Sequence, residues 1–263
     1  MPTGRWLHLA LIVSALAGVL ANAESALRLP YPARFGTIPA SAYDPENQER
    51  IGDASLVIEE LPNGNIRLSS RAGFEGGART IAQAELEPVE AGVSLRPVRE
   101  ESRSFDPEGN SLSVLSIDHA TARASCLSPK GKLKELALPA EDRVTNVPLN
   151  LLFIPLARGE VDHIQFQLMT CGFGARLVDF EAAVASNGDG SQNGSGHVVE
   201  IRYKPDLGFI SFLAKSMIPK LSIWFDPQAS SPWLGHRIPL YSKGPEVFVI
   251  RDGIPREWIP KEH

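Results

Sequence analysis

The sequence predicts a mainly β fold: an antiparallel curled sheet or half-barrel of about ten strands with one or two short covering helices. Three observations predict it. From Gly52 onward, short segments alternate apolar and polar residues with the period of half-buried strands. Gly, Pro, Asn or Asp clusters separate them at short intervals. Helical spacing is the exception.

The elements follow in order. Ala54, Leu56 and Ile58 alternate with Ser55, Val57 and Glu59, and Ile66 and Leu68 alternate with Arg67 and Ser69. Pro62-Asn63-Gly64 between them reads as a hairpin turn, because Asn-Gly accepts the positive φ angles of a tight turn. Further strands are expected at Thr80 to Glu87, Val93 to Phe105, Ser111 to Ile117 and Lys132 to Leu138. Asp106-Pro107-Glu108-Gly109 turns the chain between the second and third of these. His163 to Thr170 alternates cleanly, with Ile164, Phe166 and Leu168 on one side. Ala175 to Ala185 fits either period, and the strand is preferred. The last strands are His197 to Tyr203, Lys220 to Phe225, His236 to Tyr241 and Glu246 to Arg251.

Two segments break this rhythm. Val147 to Pro155 is too apolar for an exposed loop and too short between its prolines for a long helix, so one or two buried turns are expected. From Asp206, an N-cap residue, through Leu207, Phe209, Ile210, Phe212, Leu213 and Met217 to Pro219, the spacing predicts a short helix with a wide apolar face. Residues 186–196 are almost purely Gly, Ser, Asn, Asp and Gln, the composition of a flexible connection. Pro30 to Arg50, rich in proline, reads as irregular.

The N-terminus carries an address. Arg5 supplies a basic start, Leu9 to Leu20 an apolar run and Ala21-Asn22-Ala23 the small residues of a cleavage site. The run, about twelve residues, is short of the roughly 20 needed to span a bilayer. No later stretch suffices, so no transmembrane anchor is expected. The resulting organisation is a signal peptide over 1–23, an irregular arm over 24–50 and a single mainly β domain over 51–263, with the protein periplasmic or secreted. Removing residues 1–23 takes Arg5 away, so the formal charge goes from −5 to −6 over the remaining 240 residues. Lys and Arg are scattered among Asp and Glu without a basic stripe, which argues against nucleic acid as a partner.

Cys126 and Cys171 are the only cysteines, and an even number in an exported chain makes a disulfide the first reading, with two buried thiols the alternative. Closing that loop contributes about 4 kcal/mol in the chain-entropy view. Asp189, Ser191, Asn193 and Glu200 have the spacing of a calcium loop, but Gly196 replaces the usual apolar anchor and strands flank it. A polar linker meeting the pattern by chance is the preferred reading, so neither metal nor cofactor is expected. No Gly-x-Ser-x-Gly elbow is present. His119, His163, His197 and His236 form no His-x-x-x-His pair, and each is read as structural. No catalytic residue is assigned. Aromatic residues concentrate toward the C-terminus, and most are core. On the concave side of a curled sheet, Phe153, Phe209, Phe212 and Trp224 are the candidates to line a cavity for a lipid or another apolar molecule.

Ile51-Gly52-Asp53-Ala54-Ser55-Leu56-Val57-Ile58 leading to Pro62-Asn63-Gly64, then Leu95-Arg96-Pro97, then Leu149 to Leu156 with Gly159, then Trp224-Phe225-Asp226-Pro227 form a loose pattern. In this order of features the chain resembles uncharacterised secreted bacterial proteins classed as domains of unknown function, with a curved sheet of the LolA/LolB type of lipoprotein carrier. The resemblance implies an antiparallel, strongly curved sheet with short helices plugging its open side, and it carries no catalytic residues. The expected function is therefore non-enzymatic: binding a lipid, another apolar ligand or an envelope component in the sheet's concavity. The alternatives are an exported hydrolase with a dispersed active site, and an envelope assembly or structural protein that pairs a sheet edge with a partner protein.

Overall fold

In the computed structural model the described residues are 27–128, 130–140, 143–171, 175–185, 198–206, 221–239 and 246–255. They form a single antiparallel sheet of fifteen strands. The N-terminal strands are β1 (Leu29–Pro30), β2 (Gly36–Tyr43), β3 (Arg50–Glu60), β4 (Ile66–Phe74), β5 (Arg79–Val89) and β6 (Ser94–Phe105). They continue into β7 (Ser111–Asp118), β8 (Arg123–Leu127) and β9 (Leu133–Ala137). Two short helices, α1 (Leu149–Leu152) and α2 (Ile154–Ala157), precede β10 (His163–Thr170), β11 (Arg176–Val184) and β12 (Val199–Pro205). The C-terminal strands are β13 (Leu221–Phe225), β14 (Trp233–Pro239) and β15 (Glu246–Arg251).

Across the sheet the order runs β10 to β15, then β2 to β9, so the C-terminal strand is joined to the N-terminal one. Arg251 stands opposite Ala40 and Phe248 opposite Tyr43. β1 pairs with the start of β6, placing Leu29 opposite Leu95.

The mainly β expectation holds, with more strands than the turn signals suggested. Two of the extra strands were hidden for different reasons. β2 lies in the stretch expected to be irregular, but Ile38, Ala40 and Ala42 alternate inward and pair with Leu56, Ala54 and Gly52. Pro39 is tolerated because it falls one residue beyond the last β15 pair. β8 turns only Ala124 and Cys126 inward, too little apolar surface for the alternation to stand out. Between β3 and β4 the expected turn forms, with Gly64 at φ 83° and its N–H donating to the Leu61 carbonyl at 2.9 Å. The undecided 175–185 segment is a strand. Over 149–157 the two buried turns are α1 and α2.

The ends of the sheet overlap instead of meeting edge to edge. Leu115, Ile117, Ala124 and Cys126 on the inner face of β7 and β8 pack with Met169 and Leu177 on the outer face of β10 and β11. The sheet is therefore a scroll rather than a closed barrel. Residues 143–147 lie in the overlap: Val144 forms a parallel bridge with Gln167, and Asn146 hydrogen-bonds the backbone of Met169. The Cys126–Cys171 disulfide, with Cα atoms 5.8 Å apart, ties the two layers together. Inside the scroll, α1 packs on β1, and α2 on β11 and β12. They fill the core between Leu29, Ile66, Leu86 and Leu95 on one side and Phe166, Phe180 and Tyr203 on the other.

No helix among the described residues is long and apolar enough to cross a membrane. The proposed signal segment, residues 207–219 with Phe209 and Phe212, the 186–196 loop and Tyr241 lie outside the described residues.

Candidate functional site

The inner face of the scroll is built from alternate residues of each strand, and the plug covers only part of it. Where α1 and α2 sit, the side chains are large and buried. Phe153, between the helices, has its ring 5.5 Å from that of Phe166 and 5.4 Å from that of Tyr203, and Phe166 lies 5.7 Å from Phe180. Burial in this cluster pushes the Tyr203 hydroxyl above its usual pKa. Phe153 is thus a fully buried packing residue at the centre of the plug.

Away from the plug the inner face changes character. One cross-strand row runs Arg251, Ala40, Ala54, Ala72, Thr80, Ser104, Ser113 over seven neighbouring strands. The adjoining row is Ile38, Leu56, Ser70, Ala82, Ser102, Leu115. Ala54, Ser70, Ala72, Thr80, Ala82 and Ser102 are only partly buried. The side chains here are short, and Ala40 and Ser104 in the same rows are buried.

One end of the first row is polar. Arg251 projects from the inner face of β15, and its Nη1 donates to the Ser231 carbonyl at 2.5 Å. Partial burial holds its pKa below the usual arginine value, Asp226 opposes this, and Arg34 adds repulsion. Trp233, two residues after Ser231, is 5 % exposed, and its Nε1–H has no acceptor among the described residues. Further along β14 on the same face, His236 has its ring 5.7 Å from that of Trp233. Burial lowers the His236 pKa to about 4.

Trp224 corrects the expectation that it lines this concavity. It faces the other way, packed edge-on against Phe248 with centroids 5.6 Å apart and joined by Leu234 and Ile250 in a separate outer cluster. The period of two decides this, because its neighbours Ile223 and Phe225 face inward. Glu200, the last residue of the calcium-like spacing, accepts hydrogen bonds from Arg202 Nε at 2.9 Å and Ser222 Oγ at 2.8 Å. Asp189, Ser191 and Asn193 lie outside the described residues. Among the described residues, no group of three or more His, Cys, Asp or Glu side chains could hold a metal ion.

Two arrangements bear on the alternative functions. His119 Nε2 lies 3.1 Å from Glu100 Oε1, but these side chains are only 6 % and 0 % exposed. The other Glu100 oxygen accepts the backbone N–H groups of Asn146 and Val147, so the pair is structural. On the outer face of β3 to β5, a depression of about 260 Å3 is lined by Ser55, Val57, Glu59, Arg67, Ser69, Arg71 and Gln83, with Arg67 and Glu59 paired at 3.4 Å. It holds no histidine or cysteine to act as base or nucleophile. The β9 end of the sheet exposes Leu133 but also carries Lys134 and Glu135, charges that discourage pairing with another strand.

The fold is that of a mainly β protein with one large sheet left open as a scroll. Neither a protein-family model nor a curated protein matches the chain. Among solved structures, it is similar to a beta-barrel-like protein of the domain of unknown function DUF1849 from Brucella abortus. The TM-score is 0.41 at 10 % identity, over 86 % of this chain and 96 % of that one.

Sequence reasoning missed this row of short side chains because it looked for large aromatic ones. The usable signal was the opposite, a repeated occurrence of Ala, Ser and Thr at inward positions of β3 to β6.

Proposed function

We propose that the protein is an exported, non-enzymatic binding protein that holds a lipid or another apolar molecule on the inner face of its scroll. The observation that carries this reading is the contrast along that face. Under the plug it is closed by Leu, Ile and Phe side chains, whereas Ala54, Ala72 and Ala82 on the adjoining strands are partly accessible. Apolar surface left accessible in a concave fold is the usual form of a small-molecule site. The N-terminal segment over 1–23 and the disulfide support an oxidising compartment. The resemblance to LolA/LolB-type sheets points toward the envelope.

The test is native mass spectrometry of the protein purified from its own envelope, followed by extraction and identification of what it carries. A stoichiometric lipid or apolar small molecule is expected. A ligand-free protein that also fails to take up lipid from vesicles sinks the proposal.

A further inference from the structure

On the outer face of the sheet, away from the plug and the inner rows, β3 and β4 present three cross-strand pairs: Ser55 opposite Arg71, Val57 opposite Ser69 and Glu59 opposite Arg67. Gln83 of β5 lies beside Ser69. Successive outward residues on one strand are about 6.8 Å apart, so the backbone positions of the two arginines are about 14 Å apart, with the short Ser69 midway between them. Long side chains standing around short ones make a hollow. It is the depression of about 260 Å3, and the three pairs and Gln83 share it.

Its polar groups are unequally supplied with partners. Arg67 is held by Glu59 at 3.4 Å, whereas Arg71 is exposed and makes no hydrogen bond or ion pair among the described residues. The hydroxyls of Ser55 and Ser69 and the amide of Gln83 are unengaged in the same sense. The carboxylates on the surrounding strands have partners of their own: Glu85 accepts from Asn65 at 2.7 Å, Glu101 from Arg103 at 2.6 Å, and Asp53 from Arg50. Two arginines against one glutamate leave the hollow with an excess positive charge, on a chain whose formal charge is −5. A lone surface arginine is ordinary. Here it closes one end of a hollow whose floor offers Val57 and the hydroxyl of Ser69, a residue only 9 % exposed.

We propose that this hollow binds a small sugar carrying one anionic group. The carboxylate or phosphate accepts two parallel hydrogen bonds from the Arg71 guanidinium. The sugar hydroxyls exchange hydrogen bonds with Ser55, Ser69, Gln83 and Glu59, each of which can accept and all but the last of which can donate. The C–H face of the ring lies on Val57. A volume of about 260 Å3 is below the roughly 300–1,000 Å3 of sites for drug-sized ligands, so the ligand is a single ring. A bare inorganic anion would use Arg71 and leave the neutral hydroxyls and amide without a role, which favours a hydroxylated ligand. The site lies on the opposite face from the apolar interior and does not depend on what that interior holds.

The test is calorimetric titration of the purified protein at low salt with glucuronate, glucose 6-phosphate, glucose and inorganic phosphate. At least one of the two anionic sugars should bind about tenfold more tightly than both glucose and inorganic phosphate, and which one it is separates a uronic acid from a sugar phosphate. In Arg71→Gln, which alters an exposed side chain and should leave the melting temperature unchanged, that sugar should bind no better than glucose. Ser69→Val, which fills the floor, should weaken it about tenfold. Arg123→Gln, on the exposed outer face of β8 and outside the hollow, should change nothing. No binding of either anionic sugar, inorganic phosphate binding as tightly as they do, or an affinity unchanged in Arg71→Gln overturns the proposal. Each of these results leaves the apolar reading of the inner face to its own test.

Discussion

Glu100 Oε2 accepts the backbone N–H of Asn146 at 2.7 Å, joining two residues that the sheet order places far apart. The same oxygen accepts from Val147 at 2.7 Å, and Asn146 in turn exchanges two hydrogen bonds with the Met169 backbone at 2.8 and 2.9 Å. A carboxylate on β6 is thereby linked, through one turn of chain, to the edge of β10. The β10 edge is satisfied here by the backbone of residues 143–145 at Gln167 and by the Asn146 side chain at Met169.

Removing that carboxylate should loosen the overlap. Glu100→Ala removes the acceptor of two part-buried N–H groups and one partner of His119, and a loss of about 3 kcal/mol is expected. Urea unfolding measures it. Asn146→Ala should cost less, about 1–2 kcal/mol, since it removes two neutral hydrogen bonds. A loss under 0.5 kcal/mol for Glu100→Ala would show that the linkage does not hold the layers.

The disulfide acts on the same overlap from the other side. It closes a separation of 45 residues, so replacing both cysteines by serine should lower stability by about 2–4 kcal/mol. The loss should appear as a lower denaturant midpoint, and reduction of the unmodified protein should reproduce it. A reduced protein as stable as the oxidised one would contradict the expectation.

Gly235 marks a close approach between strands. A Cβ there would stand 2.6 Å from the Val249 carbonyl oxygen, a backbone atom that cannot swing aside. Gly235→Ala should therefore destabilise by about 1–3 kcal/mol, visible as a lower melting temperature, while Gly64→Ala should act through its positive φ instead. An unchanged melting temperature in Gly235→Ala would mean that β14 and β15 can separate locally.

His236 predicts an acid weakness. Burial lowers its pKa from 6.5 to about 4, so the folded state resists the proton that the unfolded chain accepts. The stability it contributes is complete above pH 6.5 and is lost as the pH falls from there to about 4. His236 as a residue is only partly buried, so the loss is at most about 3 kcal/mol. In His236→Gln the stability profile between pH 7 and 4 should be flatter than in the unmodified protein. Identical profiles would remove His236 from the account.

Much of the strand pattern was legible. The segments at 163–170 and 246–251 coincide with β10 and β15, the first because Ile164, Phe166 and Leu168 alternate with polar residues, the second because a run of four apolar residues is buried on both faces of the sheet. β2 was not legible, because Pro39 breaks the local pattern and one of its two partners, β15, is remote in the chain. The candidate site was less legible still. Phe153 and Trp224 are both large and aromatic, yet one fills the plug and the other lies outside the scroll. Size alone does not say which face a side chain takes or what already covers it.

By itself the sequence determined the class of the fold, most strand positions, buried turns in the Val147 to Pro155 region and a cysteine pair able to bond. These depend on period, turn chemistry and composition, which act between near neighbours. Only the tertiary structure decided that the sheet overlaps as a scroll, that Glu100 and Asn146 meet, and that short side chains from six strands line up behind Arg251. Those outcomes depend on the register between remote strands and on the curl of the whole sheet. Neither is a property of any one segment.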